Sequence, residues 1–254
     1  MDEQKVMKLL LKILIWVFLA AWFVVVLGFV SGEADKVVCN RIEVELTDTA
    51  LSRFVTAADV REILSESGIS LQGYAMSQID SRKLEQTLEE NPYISNAEVS
   101  KDISGRLEVS VKQRVPLVRI MPDGESGFYL DREGHRLPLS GQFTPKTLLV
   151  SGHLPDSEAE METQLQEILE FSTYLSDHSF WKAQIVQIYV DRRGEYELIP
   201  RVGAHQILMG SMDQWEQKLR NLELLYRQGF SRYGWNTYET INLKYTNKVI
   251  CSKR

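Results

Sequence analysis

The residues best suited to proton transfer or metal ligation in this 254-residue chain are His135, His153, His178 and His205, which stand 18, 25 and 27 residues apart. No pair has close ligand spacing. Cys39 and Cys251 lie far apart in sequence and form no Cys-x-x-Cys motif; they read as two isolated small hydrophobes, the alternative being a disulfide that an oxidising compartment would permit. Neither Gly-x-Ser-x-Gly nor His-Glu-x-x-His occurs, and no glycine loop of the phosphate-binding kind is present. Carboxylates such as Glu167 and Glu170 read as the solvated face of a helix. The expectation is therefore no enzyme, no cofactor, no metal and no small-molecule substrate. What remains is recognition through the backbone itself, because a strand at a sheet edge offers unpaired N–H and C=O groups to a partner's strand. The candidate for that role is the run Asn242, Leu243, Lys244, Tyr245, Thr246, Asn247, Lys248, Val249 and Ile250, with Lys244, Tyr245 and Lys248 supplying specificity. The competing reading is a covered strand whose Leu243 and Tyr245 only fill core.

The elements that must carry such an edge are legible in part. Val37–Leu46 alternates Ile42, Val44 and Leu46 against Arg41, Glu43 and Glu45, a half-buried strand. Thr56 caps a helix from about Ala57, with Asp59 three residues on and Val60, Ile63 and Leu64 on its apolar face; Gly68 stops it. A second helix fits Asp80–Glu90 and ends at Asn91-Pro92. Two strands follow, one carrying Ala97 and Val99 and the other Leu107, Val109 and Val111, joined by the polar turn 101–105. This order of strand, helix, helix, strand and strand makes a small α+β unit.

Beyond Pro116 the spacing predicts short strands at Phe128–Leu130, Leu137–Leu139 and Leu148–Val150, with a turn at 131–134. A helix over Glu158–Leu175 precedes paired strands Ile185–Val190 and Glu195–Ile199 around a turn at 191–194. Trp215, Leu219, Leu222 and Tyr226 mark a further helix over Asp213–Tyr226, and Thr240–Val249 alternates as a late strand.

Ahead of all this lies the most apolar run of the chain, Ile13–Val30, 18 residues without a charge. At about 1.5 Å per residue, Leu9–Val30 makes a helix of about 33 Å, enough for a hydrocarbon core of about 30 Å. The run predicts a single N-terminal transmembrane helix. Lys5, Lys8 and Lys12 before it, with Glu33 and Asp35 after it, favour a cytoplasmic N-terminus and an exported body. The competing reading is a cleaved signal peptide ending near Gly32-Glu33-Ala34, against which the apolar core is too long. The formal charge of -6 gives no support to nucleic-acid binding.

Several short patterns together resemble one family. Leu84–Val99, LEQTLEENPYISNAEV, and Leu107–Val118, LEVSVKQRVPLV, are followed by Tyr129–Gly134, YLDREG, by Leu208-Met209-Gly210 with Lys218-Leu219, and by Ile241–Asn247, INLKYTN. In this order and spacing they resemble the FtsQ/DivIB family of bacterial cell-division proteins, with matches at Pro92, Arg114, Pro116, Gly134, Gly210 and Lys218. Gln113 stands where the family's acid is usual, and the Arg-x-x-Pro element before that strand is missing.

The resemblance implies an α+β protein with a cytoplasmic tail (1–8), a transmembrane helix (9–30), a linker (31–37), a POTRA domain (38–116) and a mixed, β-rich domain (117–254). It implies a non-catalytic scaffold at the septum, in the bacterial inner membrane as a single-pass type II protein with periplasmic domains. The partners it implies are FtsB/DivIC-like and FtsL-like bitopic division proteins and the septal synthase complex, whose peptidoglycan synthesis it would control indirectly. A POTRA-bearing scaffold in envelope transport or assembly is the alternative.

Overall fold

A computed structural model describes residues 12–23, 25, 37–47, 49–66, 71–124, 126–230, 234–235, 237–245 and 247–253. Residues 12–23 are helical, while the remainder of the expected span Leu9–Val30, apart from residue 25, lies outside the described residues. Among the described residues no helix is long and apolar enough to cross a membrane. This corrects the transmembrane helix in the expected fold, and with it the inner-membrane and single-pass type II assignments that rest on that helix. The expected tail 1–8, most of the linker and the helix stop at Gly68 also lie outside the described residues.

The chain divides into two compact units, Met1–Thr49 with Val55–Gln113 and Ala50–Phe54 with Arg114–Arg254. The first is α+β. β1 (Arg41–Thr47) leads to α1 (Ala57–Glu66) and α2 (Ser81–Glu89), and then to β2 (Ile94–Lys101) and β3 (Arg106–Gln113). The start of α1 follows from a reciprocal cap. Thr56 Oγ1 accepts from the Asp59 amide at 3.3 Å, and Asp59 Oδ2 accepts from the Thr56 amide at 2.8 Å. Asp80 caps α2 by accepting from the Lys83 amide. β3 is central, parallel to β1 and antiparallel to β2. Leu107, Val109 and Val111 on β3 are buried, as are Val60, Leu64, Leu84 and Leu88 on the helices. Two glutamates of α2 reach across to β2: Glu89 Oε1 accepts from the Ala97 amide at 3.1 Å and Glu85 Oε1 from the Val99 amide at 2.8 Å.

The second unit is a nine-stranded mixed sheet. Its strands are β4 (Pro116–Pro122), β5 (Phe128–Asp131), β6 (Arg136–Pro138), β7 (Leu148–Gly152), β8 (Ile185–Val190), β9 (Tyr196–Pro200), β10 (Gln206–Gly210), β11 (Tyr238–Asn242) and β12 (Ile250–Lys253). They run in the order β12-β11-β10-β9-β8-β7-β4-β5-β6. Pairings β4–β7, β7–β8 and β10–β11 are parallel and the others antiparallel. α3 (Glu158–Asp177) packs on β4, and α4 (Ser179–Gln184) packs on α3 and β8. α5 (Trp215–Leu224) continues into a π-helical turn, Leu225–Gly229. The core joins Val118, Ile120, Val150, Ile188 and Leu198 from the strands to Ile168, Phe171, Trp181, Leu219 and Leu222 from the helices. At one end Trp181 packs edge-on against Phe180 and Tyr226, with ring centroids 4.9 and 6.1 Å away.

Three hairpin turns share one construction. Asp102-Ile103-Ser104-Gly105-Arg106, Asp131-Arg132-Glu133-Gly134-His135 and Asp191-Arg192-Arg193-Gly194-Glu195 each open on Asp and carry Gly fourth. In each, the Asp amide donates to the carbonyl of the fifth residue and the Gly amide donates to the Asp carbonyl. Gly105, Gly134 and Gly194 have φ of +84°, +86° and +76°, the left-handed position such a turn requires. The Asp carboxylate accepts from the amide two residues on in all three.

Candidate interaction site

The expected late strand is not one strand. β11 ends at Asn242, whose Oδ1 accepts from the Lys244 amide at 2.9 Å and turns the chain. Leu243 is buried and its amide donates to the Leu208 carbonyl at 2.8 Å. The chain returns as β12, antiparallel to β11 with Asn242 opposite Ile250. Thus Thr240–Val249 as a continuous strand is corrected to a hairpin, and of the eight described candidates only Asn242 and Ile250 lie in strands. Lys244, Tyr245, Asn247 and Lys248 sit exposed in the connection, Val249 is half-buried there, and Thr246 lies outside the described residues. Tyr245 is 53% exposed, and the Lys248 ammonium lies 5.1 Å from its ring centroid. β12 has β11 as its only neighbour in the sheet order, so among the described residues it forms one outer edge.

Two of the motif residues hold this region. Gly210, at φ +73°, leaves room for Lys244, whose Cγ would lie 2.9 Å from a Cβ at that position. The Lys244 side chain then reaches Glu195 Oε2 at 2.5 Å. Lys218 is buried, and its ammonium donates to the carbonyls of Met209 and Ser211 at 3.2 and 2.7 Å, fixing the chain after β10. Burial pushes the Lys218 ammonium below its ordinary value, with Asp213 opposing the shift. The unfolded chain therefore holds this proton more tightly, and stability gains from Lys218 as pH rises from the lowered folded value towards the unfolded value of about 10.4. We expect urea midpoints compared between pH 7 and pH 9.5 to show this upward contribution in the wild type and its loss in Lys218→Met.

Three of the other motif residues, Arg114, Pro116 and Gly134, lie around Asp131. Pro116 opens β4 opposite Asp131, and Arg114 sits just before it. Asp131 is buried. Its Oδ1 accepts from the Glu133 and His135 amides at 2.9 and 2.8 Å. Its Oδ2 accepts from Arg114 Nη1 at 2.9 Å, and that nitrogen also lies 2.8 Å from His135 Nδ1 and 3.4 Å from Glu133 Oε2. Asp131, Glu133 and His135 bring ligand-type atoms within 4.8 Å of one another, and the guanidinium stands among them as the cation. Pro92 is exposed in the turn between α2 and β2, and Gly134 takes the left-handed position of its hairpin.

The histidines are not brought to a common point by their partners: His205 is buried with Nε2 2.8 Å from the Tyr226 hydroxyl, while His178 lies against Tyr174 at 4.9 Å between ring centroids. Cys39 and Cys251 are both free thiols. Gln113 was singled out only as a departure from the family's acid. It is buried, and its Oε1 accepts from the Val55 amide at 2.9 Å, the acceptor role a carboxylate would also fill. The repeated Asp-x-x-Gly pattern was the signal available in the sequence for the hub at Asp131.

A small α+β unit and a nine-stranded mixed sheet make this an α+β protein, and the charged groups gathered at Asp131 are paired with one another. Residues 115–252, more than half the chain, match the family model for the related C-terminal region of FtsQ/DivIB, and residues 37–112 match a POTRA-like domain. A cell division protein FtsQ of Rhodothermus marinus is 25% identical over 186 residues, 70% of this chain and 67% of that protein. A cell division protein FtsQ of Geotalea daltonii is 24% identical over 199 residues, 76% and 70% of the respective lengths. The chain belongs to the FtsQ/DivIB family. Membership gives it a general, non-catalytic scaffolding role among division proteins, exercised through protein–protein contacts.

Proposed function

We propose that this chain links division proteins at the septum by offering its C-terminal hairpin to an extended segment of an FtsB/DivIC-like protein, with an FtsL-like protein in the same assembly. On this reading its influence on septal peptidoglycan synthesis is indirect, through the synthase complex. Residues 38–116 act as the POTRA domain and 117–254 as the binding domain. The observation that carries the reading is the outer position of β12 in the nine-stranded sheet, with Ile250 40% exposed at its start. A strand with one neighbour presents half of its backbone groups for pairing. The candidate run Asn242–Ile250 then divides its work. Ile250, with the rest of β12, supplies the backbone edge, and Lys244, Tyr245 and Lys248 supply side-chain selection and charge steering.

Photo-crosslinking residues placed singly from Asn242 to Lys253 in living cells test this. Capture of small single-pass division proteins, alternating along β12, is the expected result. Capture of envelope-transport components alone, or none with normal expression, would remove this edge as the binding site.

A further inference from the structure

The two outer strands of the three-stranded sheet differ in a way that has a consequence for self-association. On β2 the Ala97 and Val99 amides are taken up by Glu89 and Glu85, and both residues are buried. That edge is closed. On β1 no side-chain acceptor reaches a backbone amide of Arg41–Thr47 among the described residues. The apolar row is also unfinished there. Ile42, Val44 and Leu46 are only half-buried, although Leu107, Val109 and Val111, their register partners on β3, are at most 1% exposed. One further strand beside β1 would satisfy the open backbone groups and complete that row.

The sequence of β1, Arg-Ile-Glu-Val-Glu-Leu-Thr, says which strand fits. Turned antiparallel on itself about Glu43, it sets Arg41 opposite Glu45 twice and Ile42 opposite Val44 twice on one apolar face, with Leu46 opposite Asn40 at each end. Directly opposed charges of unlike sign stabilise such a pair and like charges oppose it. Glu43 meets its own copy in this register, but each is already paired with Arg41 and with Arg106 Nη1 at 3.1 Å. The register about Val44 is worse, because it opposes Glu43 to Glu45. We propose that β1 pairs antiparallel, about Glu43, with β1 of a second copy of this chain, joining two small sheets edge to edge. A seam of one strand pair falls in the small, transient class of interfaces, so the association is concentration-dependent.

The test uses the chain 1–254 with Cys39 and Cys251 replaced by serine. Glu43→Cys should give about tenfold more disulfide dimer under mild oxidation than Glu45→Cys, since only directly opposed residues bring Cβ atoms into disulfide range. Equal yields from the two, or no dimer from either with the circular dichroism of the parent retained, would overturn the proposal. Independently of any cysteine, sedimentation should show Arg41→Glu weakening self-association about tenfold and Arg41→Glu with Glu45→Arg restoring it. Self-association insensitive to both changes would overturn it equally.

Discussion

Asp131→Ala is expected to destabilise the second unit by about 3–5 kcal/mol, the effect of stranding a buried charge after its partner is removed. Two losses coincide at this one side chain. Oδ1 no longer receives the Glu133 and His135 amides, and Arg114, whose side chain is 16% exposed, keeps only the exposed Glu133 carboxylate at 3.4 Å. Asp131→Asn separates the two, because an amide oxygen still accepts from both backbone amides while the charge is gone. It should fall between wild type and Ala, and Arg114→Met in the Asn background should recover part of the loss, as a coupled pair does in a double-mutant cycle. Asp191→Ala is the internal control: the same turn without a buried guanidinium loses about 1 kcal/mol. Urea midpoints read through the fluorescence of Trp181, Trp215 and Trp235 measure all four. An equal effect at Asp131 and Asp191 would show that the turn alone matters.

Gly152→Ala is expected to be comparably damaging, by about 3–5 kcal/mol from backbone strain and overpacking together. Gly152 ends β7 at φ +108°, a conformation L-residues rarely adopt. A Cβ there would collide with the Val190 carbonyl oxygen and lie 2.9 Å from Tyr189 Cε2. The backbone cannot retreat without breaking the His153 amide bond to Val190, made at 2.9 Å, and the parallel pairing of β7 with β8 inside the sheet. Gly124→Ala separates strain from collision. Its φ is +79° with open space around the added methyl, so about 1 kcal/mol is expected. Thermal unfolding of the two variants side by side gives the comparison.

How far the chain could be read in advance depended on which physical signal each element left. The first unit was legible because its strands are buried on one face, so Leu107, Val109 and Val111 alternate with polar residues, and because Thr56 with Asp59 marks a helix start. β4 left no such mark. It lies between β5 and β7, and Pro116, Leu117 and Val118 are all buried in succession, which erases the period of two. β10 and β12 are five and four residues long and, unlike the equally short β5 and β6, have no Asp-x-x-Gly turn beside them to mark them. The late strand misled for the opposite reason: Ile241, Leu243 and Tyr245 alternate in sequence, but a side-chain bond from Asn242 turns the backbone and Tyr245 ends up in solvent. At the candidate site, Gly210 and Lys218 were found by resemblance. Their roles, making room for Lys244 and fixing the Met209 and Ser211 carbonyls, arise from contacts that no spacing rule encodes.

The three Asp-x-x-Gly turns also set a timetable for folding. Each ties strands adjacent in sequence, β2 to β3, β5 to β6 and β8 to β9, and hairpins of this kind close in about 1–10 μs. The parallel pairings β4–β7, β7–β8 and β10–β11 must instead wait for long connections, two of which contain α3 with α4 and α5. Closing those loops carries an entropic penalty before any contact rewards it, and slows the search accordingly. The hairpins therefore serve as prefabricated pieces, and assembly of the large sheet is governed by their docking, with the C-terminal edge strand joining a sheet whose local geometry is already set.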